Sequence, residues 1–362
     1  MIKESTIHLM KKEASRAKKA SIVVGMVKNG EREYIGLLED GNKRVDTDLG
    51  DLYFEIGSTT KTFTSLLLAK LLTENIISLD EPISKYKPEY KQALTYNGKE
   101  VTFRHLATHT SGLPREDMKT IRRQLKENKE RKRNPYKDFS PADLERFFTT
   151  YKIKREIGKK FVYSNIGLGL LANTLSDILG MTYEEAIKTE ILKPLEMNDT
   201  FITVNESHLD RYVQAYDKKG NLVPPIELPA INGAGAIKST MNDMLTYVEH
   251  QIGVKDSPLR EAIALTHEKQ SVQATKHLEM GLCWMIENKK WAETPVIHHG
   301  GTTVGFHTYC GFMKEHKLGV VIYSTIQLPF VRLLKMIIGL EEMVNVNIAD
   351  SIFKSHLPYI KS

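Results

Sequence analysis

The chain has 362 residues, 41% hydrophobic and 27% charged, with 51 Lys and Arg against 45 Asp and Glu for a formal net charge of +6. That length and mix can bury a large core in two lobes, and they exclude a disordered or low-complexity chain. No run approaches the ~20 apolar residues of a membrane span, and two cysteines, Cys283 and Cys310, both in apolar strand-like surroundings, predict buried free thiols in place of a disulfide framework.

Met1 to Lys19 reads as an amphipathic basic helix with Ile7, Leu9 and Met10 on its apolar side, and no apolar run of signal-peptide length follows. The expectation is a cytoplasmic protein with no stable membrane insertion. Strand-like runs follow at Ser21 to Val27 and Glu33 to Leu38. Leu52, Phe54 and Ile56 then alternate with Tyr53 and Glu55, the period of a half-buried strand, and Gly57 lets the backbone turn. From Phe63 the spacing of Leu66, Leu67 and Leu71 is helical.

Ser58 and Lys61 sit at that strand-to-helix junction as an S-x-x-K pair, with the serine in the first helical turn and the lysine one turn on along the same face. A neutral amine there can take the serine proton, and burial or nearby positive charge lowers a lysine pKa. A capping serine followed by a solvated lysine has the same four letters, so the pair needs support from elsewhere in the chain.

Leu79 to about Asn205 reads as mainly helical. His105 and His109 are placed to hold the Thr110-Ser111-Gly112 turn by hydrogen bonds. From Arg115 to Lys137 ten Lys or Arg face four Asp or Glu, a net of +6 that equals the net charge of the whole chain. That segment is either a solvated helix with Met118, Ile121 and Leu125 as its apolar stripe, or a lid or steering surface for anionic substrates or membrane headgroups. Tyr136 is its only aromatic ring, which argues against nucleic acid as a partner. Ser140-Pro-Ala-Asp has a capping serine, proline at the first helical position and an acid in the first turn, and Leu168 to Leu179 and Tyr183 to Leu192 read as short buried helices.

Tyr163-Ser164-Asn165 is a Y-x-N turn that sets a phenol beside a carboxamide. A tyrosinate next to an ammonium can act as base near neutral pH, and Asn165 can donate to a substrate carbonyl and anchor the lysine. Further on, Asp243 reads as a helix-start acid. His298-His299-Gly300-Gly301-Thr302 precedes the alternating run from His307 to Met313, and its glycines imply a close approach to the backbone, with substrate lying along the strand edge. Adjacent strand histidines point to opposite faces and no nearby Cys, Asp or Glu completes a ligand set, so neither metal nor cofactor is expected. Strands at Cys310 to Met313 and Gly319 to Ser324 and a helix from Phe330 to Val344 complete the reading.

The ordered triple S-x-x-K, Y-x-N and H-G-G resembles the serine β-lactamase-like hydrolases, in the branch of class C β-lactamases, DD-peptidases, D-aminopeptidases and related esterases. Leu106-Ala-Thr-His-Thr-Ser-Gly-Leu-Pro, Ile191-Leu-Lys-Pro-Leu-Glu-Met, Gly235-Ala-Ile-Lys-Ser-Thr-Met-Asn-Asp-Met and Gly281-Leu-Cys-Trp strengthen the resemblance, which runs from about Ile22 to Val344. It implies an α+β fold, an antiparallel sheet flanked by helices with an inserted mainly helical lobe. The lobes are expected over 1–79 with 206–362 and over 80–205, the site lying between them.

By the same resemblance Ser58 attacks, Lys61 activates it and Tyr163 shuttles protons. The backbone amides of Ser58 and Thr302 form the oxyanion hole, with Asn165, His299, Gly300 and Gly301 facing a small-molecule or short peptide substrate. The implied activity is a metal-independent serine hydrolase working through an acyl-serine on a peptide or amide, D-residue substrates among them, or an ester. An acyltransferase and a slowly turning penicillin-binding protein or sensor are the alternatives. His-Gly-Gly stands where class C β-lactamases carry Lys-Thr-Gly, which counts against efficient β-lactam hydrolysis. Ile157 replaces a common proline and Cys283 a common glycine, both expected to alter packing alone.

Overall fold

The computed structural model describes residues 1–17, 19–38, 43–45, 49–327 and 343–357. Its first strands are β1 (Ile22–Lys28), β2 (Glu31–Leu38) and β3 (Lys43–Val45). Six two-residue strands pair locally or across the middle of the chain: β4 (Phe54–Glu55) with β9 (Lys238–Ser239), β5 (Thr95–Tyr96) with β6 (Lys99–Glu100), and β7 (Ala215–Tyr216) with β8 (Leu222–Val223). The last six are β10 (Val272–Thr275), β11 (Leu278–Met280), β12 (Met285–Glu287), β13 (Val296–Thr302), β14 (His307–Met313) and β15 (Leu318–Ser324). They join the first three in one antiparallel sheet, ordered β10-β11-β12-β13-β14-β15-β1-β2-β3.

The centre of that sheet joins the two ends of the sequence, Ile22 opposite Ser324 through to Lys28 opposite Leu318. β1 and β15 are apolar almost without alternation because both of their faces are covered. On one face lie the helices Glu4–Ala14 and Val344–His356, packed over Ile22, Val24, Val320 and Ile322. On the other lie Met241–Ile252 and, beyond it, the helical elements between Thr60 and Thr266 around a larger core. This is the β-lactamase/transpeptidase-like fold, an antiparallel sheet with flanking helices. No helix among the described residues is long and apolar enough to cross a membrane.

Local reading and structure differ at several places. The alternating Leu52 to Ile56 run is a strand only at Phe54–Glu55, and the polar members of the alternation are inside. Glu55 is buried because Ile226 N and Tyr212 Oη both donate to Oε1, and Tyr53 because its hydroxyl donates to Asp199. The helix expected over Phe330 to Val344 lies outside the described residues up to 342, and Val344 opens a helix where it was expected to close one. β10 to β12 were not anticipated, since strands of three or four residues carry little periodic signal. Cys283 and Cys310 are buried and unbridged. Cys283 adopts φ +60, a left-handed conformation suited to the glycine it replaces. Ser140 caps the helix Pro141–Thr150 reciprocally with Asp143.

Candidate active site

Ser58 lies in a short 3-10 turn, Gly57–Thr59, that feeds the helix Thr60–Thr73. That helix is buried almost all round, so Lys61, one turn beyond the serine, has no route to solvent and is fully buried. Its Nζ donates to Ser58 Oγ at 3.0 Å and to the carbonyl oxygen of Ala234 at 2.5 Å. Desolvation brings its pKa down to about 7. Arg115 adds to the fall, while Cys283 and Glu116 act against it. A lysine at that value is about half neutral at pH 7 and faces the hydroxyl it would deprotonate.

Tyr163 is held by its neighbours. Ser164 caps the helix Asn165–Leu179, accepting from Gly167 N at 2.9 Å, while its hydroxyl donates to Pro114 O at 2.6 Å. Ser164 N donates to His109 Nδ1 at 3.1 Å, and the His109 ring lies 4.4 Å from that of Tyr163. His109 therefore fixes the Tyr163 loop, beyond the turn-holding part expected of it. Its burial keeps it neutral, consistent with a lone pair on Nδ1. The Tyr163 ring has Lys61 Nζ at 4.9 Å from its centroid and the Arg115 guanidinium at 5.1 Å. Burial pushes the phenol well above its ordinary value, although a hydrogen bond with Ser58 and the charge of Arg115 oppose that. The resting group is a phenol, where the residue types alone had suggested a tyrosinate.

Asn165 sits apart from this cluster. Its Nδ2 donates to Glu116 Oε1 at 3.1 Å, its buried Oδ1 has no hydrogen-bond partner, and Lys61 takes its second anchor from Ala234 in place of Asn165. Glu116 also accepts from Tyr136 Oη. These contacts tie both ends of the basic segment to the site. Between them run the helix Met118–Glu127, with Ile121 buried and Met118 exposed, and a 3-10 turn at Lys129–Arg133.

β13 supplies the opposite wall. β12 pairs with it only from Val296 to His298, so beyond that point the β12-side edge of the strand is open. His298 and His299 point to opposite faces, as the strand period requires. His298 Nε2 meets Glu287 Oε2 at 3.1 Å and its ring stacks on Tyr309. His299 is buried, and its pKa is lowered to about 3 by desolvation and then by Lys61. Its Nδ1 is 2.7 Å from the Gly300 carbonyl, which can only accept, so the proton is on Nδ1 and Nε2 carries a lone pair. That Nε2 is buried with no partner. Among the described residues no group of three or more His, Cys, Asp or Glu is placed to hold a metal ion.

The close approach that the glycines signalled at Gly301 is the protein's own. A Cβ on Gly301 would stand 2.0 Å from Ile56 O, and one on Gly57, at φ +50, would stand 2.9 Å from Thr302 N. The end of β13 thus packs directly on the Ser58 turn. Gly300 is exposed and lines a cavity of about 320 Å³ with Ser58, Arg115, Tyr163, His299 and Thr302, and the apolar side chains of Ile326 and Val344 and the ring of Tyr309 also line it. No motif of its own marks Arg115, Glu116 or Ala234 in the sequence. The His109-Thr-Ser-Gly-Leu-Pro stretch leading into Arg115 was the available signal.

A model of the beta-lactamase family, described as Beta-lactamase, matches residues 8–338. The chain belongs to this family. It is 30% identical over 84% of its length to the D-alanyl-D-alanine-carboxypeptidase/endopeptidase AmpH of Escherichia coli (strain K12), covering 82% of that protein. It is 28% identical over 76% of its length to a beta-lactamase of the same organism, covering 76% of it. A solved class C beta-lactamase superposes with a TM-score of 0.79 at 22% identity, over 99% of this chain and 97% of the other. A beta-lactamase/D-alanine carboxypeptidase from Pseudomonas syringae does so with a TM-score of 0.77 at 20% identity, over 98% and 100%. As a beta-lactamase family member the chain is an enzyme of the serine hydrolase type.

Proposed function

We propose that the chain hydrolyses a peptide, amide or ester through an acyl-serine at Ser58, without a metal. The observation that carries this reading is the buried Lys61 amine, 3.0 Å from Ser58 Oγ, with its pKa lowered to about 7. Ser58 Oγ forms the bond to the substrate carbonyl carbon and its proton passes to Lys61 Nζ. The oxyanion lies between the amides of Ser58 and Thr302, an assignment supported by their closeness at Gly57, where an added Cβ would stand 2.9 Å from Thr302 N. Tyr163, as a phenol, gives its proton to the leaving group as the bond from the carbonyl carbon to that group breaks, and is reprotonated from Lys61. Water then attacks the acyl-serine by the reverse path.

β13 offers no ammonium to a β-lactam carboxylate. His299 is neutral and its Nε2 is buried, so it gives such a carboxylate no charge to bind. This supports β-lactam turnover that is weak at most. The relative named as a D-alanyl-D-alanine-carboxypeptidase supports peptides ending in a D-residue. Acyl transfer is the second reading, favoured by the apolar side chains of Ile326 and Val344 in the cavity lining.

The test is intact mass after brief exposure to a penicillin, an aryl ester and a D-alanyl peptide, with Ser58→Ala in parallel. An acyl adduct or turnover in the wild type alone supports the reading, and equal behaviour of Ser58→Ala overturns it. Product analysis with an added amine or alcohol separates hydrolysis from transfer.

A further inference from the structure

We propose that Arg115 selects the substrate by binding a carboxylate carried on the leaving group, an inference that rests on the serine hydrolase reading above.

Arg115 is built into the site by its backbone. Its carbonyl oxygen accepts from Asn165 N at 2.9 Å and Ile166 N at 3.3 Å, and the preceding Pro114 O accepts from Ser164 Oγ. The loop carrying Arg115 and the turn carrying Tyr163 therefore move as one piece. From that fixed origin the guanidinium reaches over the Tyr163 ring and lines the cavity that Ser58 opens into.

The guanidinium has donors to spare. Its side chain is 66% exposed, and its nearest acid, Glu116, stands 3.6 Å from Nε. Glu116 Oε1 is already engaged by Tyr136 Oη and Asn165 Nδ2. A guanidinium carries five N–H donors in a fork that matches a carboxylate, so most remain for a ligand.

No other lysine or arginine lines the cavity among the described residues. His299 and His307 are held neutral by burial, with pKa values lowered to about 3 and about 4. His298 is turned to Glu287, and Lys61 lies behind Ser58 with both of its bonds inside the protein. Among the described residues lining the cavity, Arg115 is the one permanent positive charge. In the resemblance an ammonium on the third motif would hold a carboxylate; here β13 carries none, and Arg115 is the positive charge on the opposite wall.

Position relative to Tyr163 decides which part of the substrate meets it. Tyr163 hands its proton to the leaving group, so the leaving group lies beside the phenol, and the Arg115 guanidinium is 5.1 Å from that ring. The anion recognised is then the terminal carboxylate of a departing amino acid or a similar group.

Three thioesters test this: one acyl group with a leaving thiol ending in a carboxylate, the same with a carboxamide, and a third with the carboxylate moved to the acyl side. In each, Ser58 Oγ bonds to the carbonyl carbon, the C–S bond breaks and the thiol leaves with a proton. The readout is the ratio of kcat/KM for the first over the second, so that any general loss in a variant cancels. The wild type favours the carboxylate. Arg115→Ala and Arg115→Gln lower the ratio by about 10- to 100-fold, mainly through KM, and Arg115→Lys keeps part of it. A ratio unchanged in both neutral variants, or a change confined to the acyl-side carboxylate, overturns the proposal. Absence of Ser58-dependent turnover of all three in the wild type overturns instead the hydrolase reading beneath it.

Discussion

Gly301 crosses Ile56 so closely that a methyl group on Gly301 would stand 2.0 Å from the Ile56 carbonyl oxygen and 2.3 Å from Thr308 Oγ1. Thr308 Oγ1 also donates to that carbonyl at 2.9 Å, so the contact is a packed junction between β13, β14 and the segment entering the Ser58 turn. Gly301→Ala must therefore push β13 away from Ser58. The expected result is a loss of about 2–4 kcal/mol in thermal or denaturant unfolding, with at least roughly tenfold lower turnover from the displaced Thr302 amide. Gly300→Ala is the control for folding, because a methyl there meets only Thr308 O at 3.4 Å. A Gly301→Ala protein as stable as Gly300→Ala would show that the junction yields.

Lys61 makes activity and stability run on the same proton. With its pKa near 7, the neutral base is lost as pH falls, so acylation should rise with pH and reach half its maximum near 7. The stability sign is opposite to that of a salt-bridged lysine. Between about 7 and the unfolded value of 10.5 the unfolded chain binds more protons, so the penalty for burying Lys61 is complete below about 7 and fades as pH rises toward 10.5. Lys61→Met should abolish turnover, and its stability relative to the wild type should be higher at pH 6 than at pH 10, because only the wild type carries the buried charge at the lower pH. Denaturant melts at the two pH values check this, and a difference independent of pH would remove the buried charge from the argument.

What could be read from the residues alone follows the range of the contacts. Ser58 and Lys61 are one helical turn apart, and the Tyr163 turn opens its own helix, so spacing was enough to point at them. The strands at the sheet centre declared themselves because β1 and β15 are almost wholly apolar. The second anchor of Lys61 is Ala234, 173 residues away, and the partner of Asn165 is Glu116, 49 residues back. No local pattern encodes such pairs. Glu55 misled for the same reason, since the two groups that make its burial tolerable come from Tyr212 and Ile226. The charge count marked 115–137 as unusual, but only the fold shows that its first two residues, Arg115 and Glu116, reach the site while Met118–Glu127 turns mostly to solvent.

Removing the two hydroxyls should have unequal effects. Ser58→Ala leaves no atom to carry the acyl group and is expected to lower turnover roughly a thousandfold or more. Tyr163→Phe keeps the ring that packs on His109 and removes only the proton carried to the leaving group, so the loss should be about 100-fold or more. The loss should be smaller for aryl esters, whose leaving groups depart without a proton. Steady-state rates on an aryl ester and an amide measure the difference, and equal losses on both would take the leaving-group role from Tyr163.

Glu116 joins the basic segment to the Asn165 turn, and its contribution can be separated from its charge. Its side chain is 12% exposed, and one oxygen takes hydrogen bonds from Tyr136 Oη and Asn165 Nδ2. Glu116→Leu leaves both donors without an acceptor in a half-buried place, at a cost of about 2–4 kcal/mol. Glu116→Gln keeps a carbonyl oxygen in the same position and should recover most of that. Because Arg115 hangs from the same loop, the leucine variant should also lose part of the carboxylate preference measured by the paired thioesters, whereas the glutamine variant should keep it. Equal stability of the two variants would mean that charge, and not the shared acceptor, is what Glu116 contributes to this turn.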